Sequence, residues 1–242
     1  MASALARGLG EPALVSDVDR ARAEALAAEI GGQAADSNAA AAQGADAVVL
    51  CHKPAQLDAV AAEVRDHAQA VISILGGVTT EAIAEAYPGK PVYRFMPSIP
   101  VELRQGVVCY TPGPHAADGP QDEVRELFGR LGTLVELPES MIDPATAVMS
   151  CSPAFYALVV EALVDAGVRQ GLPADTAGTM AVESMAGAAA VLRAGGNDTG
   201  ELRRRVTSPG GMTERGLAEL EQGGVRSSFD AAVAAAVGAG AR

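Results

Sequence analysis

Residues 47–77 read AVVLCHKPAQLDAVAAEVRDHAQAVISILGG. Ala47–Cys51 is an uninterrupted apolar run, as a strand buried on both faces should be. Gln56–Val64 follows with helical composition, Val71–Leu75 is a second buried run, and Gly76-Gly77 punctuate its end. Two such runs joined through a helix make a parallel crossover unit. The alternation extends in both directions. Upstream, Ala13–Ser16 reads as a strand and Asp19–Ile30 as a helix. Downstream, Thr79 or Thr80 can cap a helix with Glu81 in its first turn. Pro91–Met96, Val107–Tyr110 and Thr133–Leu137 read as further strands, with a helix over Gln121–Leu131. The expected fold of residues 1–138 is α/β, a doubly wound parallel sheet.

After Asp143 the strand signals stop, so residues 139–242 are expected to form an all-helical second domain. The boundary, near Pro138–Asp143, has no long linker, and the halves are expected to pack and leave a cleft. Ala154–Arg169 is apolar on most of its circumference; Glu161, Asp165 and Arg169 are spaced by four and form one narrow polar stripe. Pro173–Leu192 repeats the pattern with Asp175, Thr179 and Glu183. A helix apolar nearly all round must be buried on nearly all sides. A domain of roughly 100 residues keeps much of its surface exposed and cannot bury two such helices alone. A second copy of the chain, packed against these helices as a homodimer, is therefore expected. Phe229, Ala232, Val233, Ala236 and Val237 mark an amphipathic last helix.

Composition narrows the function classes. The 242 residues carry a formal net charge of −12, opposite in sign to a free-standing nucleic-acid binder. Aromatic residues make up 3% with no Trp, which argues against stacking platforms for single strands. Three cysteines suit a reducing compartment, so a cytoplasmic protein is expected. The N-terminal stretch has one basic residue, Arg7, and no long apolar core, so no signal peptide is expected. The charge-free run Ser184–Leu192 falls far short of the ~18 residues a membrane span needs, and no span is expected. Cys51, Cys109 and Cys151 lack metal-ligand spacing and read as small core residues; no metal site is expected. His52, His67 and His115 are scattered and read as surface histidines.

The stretch richest in chemistry is Val206-Thr207-Ser208-Pro209-Gly210-Gly211-Met212-Thr213, followed by the helix-like Glu214–Glu221. Pro209 stops what precedes it, and two glycines let the backbone approach a ligand closely. Thr213 then lies at or near a helix N-terminus, where free N–H groups and the dipole favour an anion. Such a turn would hold a small carboxylate beside the Ser208 and Thr213 hydroxyls. The same residues also serve a plain Pro-Gly-Gly turn with a threonine cap.

Ser208–Glu221, continued by Gly223-Gly224-Val225-Arg226, resembles the signature of the pyrroline-5-carboxylate reductase family. So do Ala166-Gly167-Val168-Arg169-Gln170-Gly171-Leu172-Pro173, Lys53-Pro54 after a strand, Gly76-Gly77-Val78-Thr79 and Arg94-Phe95-Met96-Pro97. The resemblance runs in order from Met1 to the final helix. It implies a Rossmann domain followed by a helical dimerisation domain, and reduction of 1-pyrroline-5-carboxylate to proline. The hydride donor it implies is NADPH, with NADH as the alternative. By the same resemblance Gly210, Gly211 and Met212 would bind the substrate carboxylate through backbone N–H groups, Thr213 would hydrogen-bond the ring nitrogen, and Ser208 would support the turn. The cofactor would meet Met1, Ala2, Asp17, Lys53, Pro54, Met96, Pro97 and Ser98. The family places its substrate site where this turn meets the cofactor domain at the dimer interface, and often stacks dimers into larger rings. No strong acid or base is needed, because a protonated imine is already a hydride acceptor and holding the reactants in contact carries most of the rate.

The sequence departs from the family's pattern at several points. A dinucleotide fold needs a first strand and then G-x-G-x-x-G/A opening a helix. Here Met1 and Ala2 take the fifth and sixth positions of that fingerprint, so the first strand and leading glycines are missing, and Met1 is expected to be an internal methionine. A missing central strand would leave two inner edges unpaired. The family's Met-Pro-Asn-Thr-Pro becomes Met96-Pro97-Ser98-Ile99-Pro100, and its Ser-Gly-Ser-Gly-Pro becomes Met149-Ser150-Cys151-Ser152-Pro153. Before the signature the chain reads Gly195-Gly196-Asn197-Asp198-Thr199 in place of a Glu and a His-Pro pair. Asp17 would favour NADH, whereas Arg20 and Arg22 are close enough in sequence to bind a 2′-phosphate. Two alternatives stay open: a paralogue reducing another cyclic imine carboxylate, and a non-catalytic dimeric scaffold that has lost the cofactor loop.

Overall fold

The computed structural model describes residues 1–240. They form two compact units, one made of Met1–Cys151 with the end of the last helix from Ala236, the other of Ser152–Ala235.

The first unit opens with helix α1 (Ala2–Leu9), then strand β1 (Leu14–Val15), helix α2 (Arg20–Ile30) and strand β2 (Gln33–Ala34), parallel to β1. A short helix α3 (Asn38–Gln43) leads to β3 (Val48–Leu50), α4 (Leu57–Val64), β4 (Val71–Ser73), α5 (Thr80–Ala86) and β5 (Val92–Pro97). Then come β6 (Gly106–Pro112), α6 (Gln121–Gly129) and β7 (Gly132–Glu136). Strands β3 to β7 form one five-stranded sheet in chain order, and β1 and β2 form a separate pair. Among the described residues no hydrogen-bonded ladder joins the two.

One expectation is corrected. The sheet is not parallel throughout: β6 runs antiparallel to β5, with Phe95 opposite Tyr110, and β7 then runs parallel to β6. The cause is the connection. A parallel return needs a crossover of a dozen or more residues. Between β5 and β6 the chain has only a 3-10 turn over Ile99–Leu103, which can only reverse it.

Alternation along the strands fills a core on each face. Ile72, Ile74, Tyr93, Phe95, Val108 and Tyr110 point to one face with Phe128 and Leu131. Leu50, Val71, Leu75 and Val92 point to the other with Val64, Ile83 and Tyr87. The Phe95 ring stacks on Phe128 at 3.9 Å and on Tyr110 at 4.8 Å between centroids. Each such fully buried ring contributes roughly 1.5–3 kcal/mol. Helix α1 is fastened to this core through Ala4, Leu5 and Gly8. Gly8 lies so close to the Val101 carbonyl that no side chain fits there. The Arg104 guanidinium donates to the Gly8 and Leu9 carbonyls at 2.8 and 3.2 Å, satisfying the open end of α1.

A short helix α7 (Ile142–Met149) lies beyond the boundary expected near Pro138, yet it packs in the first unit, because Ile142 joins Met96 and Cys109 in a small apolar cluster. Just before it, Glu139 accepts from the buried Arg94 guanidinium of β5.

The second unit is all helix: α8 (Ser152–Arg169), α9 (Ala174–Ala194), α10 (Thr199–Val206), α11 (Met212–Gln222) and the main part of α12 (Val225–Gly240). Helices α8 and α9 pack on each other, with Gly167 against Leu172 and Ala177. Within the chain they bury only Ser152 and Ala177, while Tyr156, Leu158, Leu163, Met180 and Val182 all stand more than half exposed. The sequence reading also needs correcting on one point: Glu139–Arg169 is long and apolar enough, by length and composition, to cross a membrane, with only 11% of its apolar window buried. Ser150-Cys151-Ser152-Pro153 reads as a turn and conceals that Pro144–Val160 carries no charge.

Candidate functional site

The parallel strands β3 and β4 end together, Leu50 pairing with Ser73, and β5 runs on from Arg94, the partner of Ser73, to Pro97. The segments that leave them, Cys51–Pro54, Gly76-Gly77 and Ser98, therefore gather at the carboxyl edge of the sheet, where open α/β sheets bind ligands. Lys53 and Pro54 are exposed there. Gly77 adopts a left-handed φ of 72°, and the Thr79 hydroxyl accepts from Ala82 N–H at 3.2 Å to cap α5. His52 Nδ1 lies 2.9 Å from the Lys53 carbonyl, which can only accept, so Nδ1 carries the proton. That leaves His52 Nε2, buried and without a partner among the described residues, as an acceptor at this edge. His52 is thus half-buried rather than a surface histidine, and Cys51 is exposed rather than in the core, because β3 ends one residue earlier.

The other expected cofactor residues differ in what they offer. Met96 turns into the cluster with Cys109 and Ile142. Ser98 is 2% exposed and its hydroxyl accepts from Val107 N–H at 2.9 Å, so its side chain serves the β5–β6 reversal. Pro97 is buried, and its carbonyl lies 3.5 Å from Ser150 Oγ. Met1 caps α1 with its carbonyl, and Ala2 opens that helix. Asp17 follows β1, exposed, and accepts from Asp19 N–H at 2.8 Å. Arg20 is engaged by Glu24 at 2.7 Å and Asp36 at 2.8 Å, and Arg22 by Asp19 at 3.3 Å. These are exposed pairs, each worth little, so a phosphate could displace them.

In the helical unit the turn takes shape as its residues dictate. Ser208 accepts from Gly211 N–H at 3.0 Å through its carbonyl, closing the turn across Pro209 and Gly210. Gly210 has φ 70°, which a side chain rarely adopts. A Cβ at Gly211 would sit 2.9 Å from both the carbonyl oxygen and the hydroxyl of Ser208, so this position also needs glycine. Gly211 is the N-cap of α11 and brings no side chain to its open N–H groups. Met212 is 85% exposed, and no hydrogen bond of the Met212 or Thr213 N–H is found among the described residues. Of the three N–H groups expected to hold a carboxylate, that of Gly211 is used within the turn. That of Gly210 donates at 2.6 Å to the carboxylate of Glu214, a residue the sequence reading left as ordinary helix. Its spacing, a Glu three residues after a helix N-cap, is the signal that could have found it.

Among the described residues no group of three His, Cys, Asp or Glu could hold a metal. His115 pairs with Asp118 at 3.0 Å and His67 meets Gln43 at 3.3 Å, both away from these segments in sequence.

Comparison with known proteins supplies the chemistry. Residues 139–241 match the family model described as pyrroline-5-carboxylate reductase dimerisation, and residues 1–77 match NADP oxidoreductase, coenzyme F420-dependent. The pyrroline-5-carboxylate reductase of Corynebacterium melassecola is 39% identical, over 79% of this chain and 74% of the relative. That of a Synechocystis strain is 32% identical, over 93% and 85%. Among solved structures, 1-pyrroline-5-carboxylate reductase of Streptococcus pyogenes superposes with a TM-score of 0.91 at 26% identity, over 100% of this chain and 94% of that one. The Plasmodium falciparum pyrroline carboxylate reductase with NADP bound gives 0.87 at 25% identity, over 99% and 92%.

Proposed function

This chain belongs to the pyrroline-5-carboxylate reductase family, and from that premise we propose that it reduces 1-pyrroline-5-carboxylate to L-proline with NADPH, as a homodimer. The observation that carries the reading is the Ser208–Thr213 turn, which opens α11 with the Met212 and Thr213 N–H groups free. Those groups, the Gly210 N–H once Glu214 releases it, and the positive end of α11 hold the substrate's carboxylate. The Thr213 hydroxyl accepts from the ring N–H of the protonated imine and fixes which carbon is presented. Ser208 keeps the turn closed through its carbonyl. NADPH, when bound, supplies the hydride. The residues present fit such a cofactor at the carboxyl edge of β3, β4 and β5, where Lys53 and Pro54 are exposed and His52 Nε2 is an acceptor without a partner. Asp17 and the α1 end at Met1 and Ala2 serve the ribose and phosphate side, with NADH as the alternative donor.

The exposed apolar faces of α8 and α9 support association through these helices. The same reading extends to larger rings of dimers. Three free cysteines fit a reducing compartment, and the cytoplasm is the site of action we propose.

A second reading, reduction of another cyclic imine carboxylate, is favoured by Ile99, half exposed beside Ser98, and by Ser150 lying against the Pro97 carbonyl. The test is NADPH oxidation driven by 1-pyrroline-5-carboxylate, read alongside a panel of cyclic imines. Rapid turnover with this substrate, falling 100-fold or more in Thr213→Ala, on the scale of about 10²–10³ for removing one positioned polar contact, is the expected result. Turnover only with another imine would establish the second reading. A protein that binds no NADPH would be a scaffold.

A further inference from the structure

We propose that Glu214 is a built-in competitor for the substrate's carboxylate: its own carboxylate occupies the Ser208–Thr213 turn until substrate displaces it. The inference rests on the reading of that turn as the substrate's carboxylate site. The Gly210 N–H has one hydrogen to give, and it gives it to the charged Glu214 carboxylate, at Oε2, 2.6 Å away. Glu214 is the third residue of α11, where the helix dipole also draws a negative charge. The side chain therefore satisfies the demands a bound carboxylate would satisfy: a backbone donor and the positive end of a helix. Two carboxylates do not share that position, because like charges at such separation repel. Nothing else holds Glu214, whose remaining oxygen has no partner among the described residues and whose side chain is exposed, so it can swing into water.

The consequence is selectivity. A ligand offering only a carboxylate exchanges one carboxylate for another and gains little. A ligand that also places a ring nitrogen at Thr213 gains a contact that Glu214 cannot supply. Apparent affinity is reduced by the fraction of molecules in which the turn is open. If Glu214 closes it in eight or nine molecules of ten, that tax is about five- to tenfold.

The experiment measures KM for 1-pyrroline-5-carboxylate, and inhibition by acetate as a bare carboxylate, in wild type, Glu214→Ala and Glu214→Gln, with thermal melts of each. The expected result is a KM about five- to tenfold lower in Glu214→Ala. A smaller drop is expected in Glu214→Gln, whose neutral oxygen still accepts from Gly210. Acetate should inhibit Glu214→Ala more strongly than wild type. A KM that is unchanged or raised in both variants overturns the proposal, and a raised KM with a lowered melting temperature makes Glu214 a support of the turn. If Glu214→Ala does not fold, the Glu214→Gln comparison decides alone. Wild-type protein that never turns over this substrate overturns the functional reading itself, and the proposal with it.

Discussion

Removing Glu139 should harm the fold more than removing Arg94, although the two make one ion pair. The Arg94 side chain is 3% exposed and that of Glu139 is 25% exposed. Only one guanidinium nitrogen of Arg94 meets Glu139; Nε and Nη2 are buried without partners, and so is Glu139 Oε2. Glu139→Gln strands a full positive charge in the interior, a loss of the kind that costs about 3–5 kcal/mol. Arg94→Met replaces the guanidinium with an apolar side chain of similar reach. It also removes two unsatisfied donors, and the carboxylate left behind is on a side chain 25% exposed that can turn out to water, for a cost of about 1–2 kcal/mol. The Arg94→Met, Glu139→Leu double variant should recover most of the larger loss, because a buried pair exchanged for apolar residues is often nearly neutral. Urea titration at fixed protein concentration measures this, with m checked for constancy so that midpoints report stability. Equal costs for the two single variants, or a double variant as unstable as their sum, would refute the argument from unequal burial. The pair joins β5 to the segment that enters α7, so KM for NADPH should be followed in the same proteins.

Two further perturbations follow from the first unit. Gly8→Ala drives a methyl group into the Val101 carbonyl, a backbone atom that cannot yield, and should cost about 1–3 kcal/mol in a chemical melt. Tyr87 has a fully buried hydroxyl without a partner, and burial pushes its pKa up to about 12. The unfolded chain releases this proton near pH 10 while the folded chain retains it. The protein should therefore hold its stability below pH 10 and lose it as pH rises toward 12. Tyr87→Phe should flatten part of that loss in melts taken across the range without destabilising the protein at pH 7.

Much of the fold was legible because β3, β4 and β5 are short apolar runs flanked by glycine and proline. β2 was not, since Gln33–Ala34 is two residues with no apolar run and is ordered only by pairing with β1. Helix α7 was hidden by Asp143 and Pro144, which suggest a break yet are tolerated in a first helical turn. The antiparallel β6 was within reach of the sequence, because the stretch from Ser98 to Gln105 is too short to carry a crossover; alternation alone was the wrong guide. At the site, Ser208-Pro209-Gly210-Gly211 announced its turn through residues that only such a turn needs. What could not be read was how its N–H groups are used, since the reach of Glu214 back to Gly210 depends on a side-chain conformation. The burial of Ser98 and Met96 was equally invisible, because it follows from the β5–β6 reversal and from Ile142 arriving far along the chain.

The near-absence of buried side chains in α8 and α9 makes folding there a matter of mass action. The sheet unit carries its own stacked aromatics, whereas these two helices bury one serine and one alanine within their own chain. Partners that bind only the folded form stabilise it in proportion to the logarithm of their concentration. When the partner is another copy, dilution becomes a denaturant, and it acts on the helices first. The turn that begins α11 belongs to that same concentration-dependent half, so dilution would erode the proposed carboxylate site while leaving the five-stranded sheet intact.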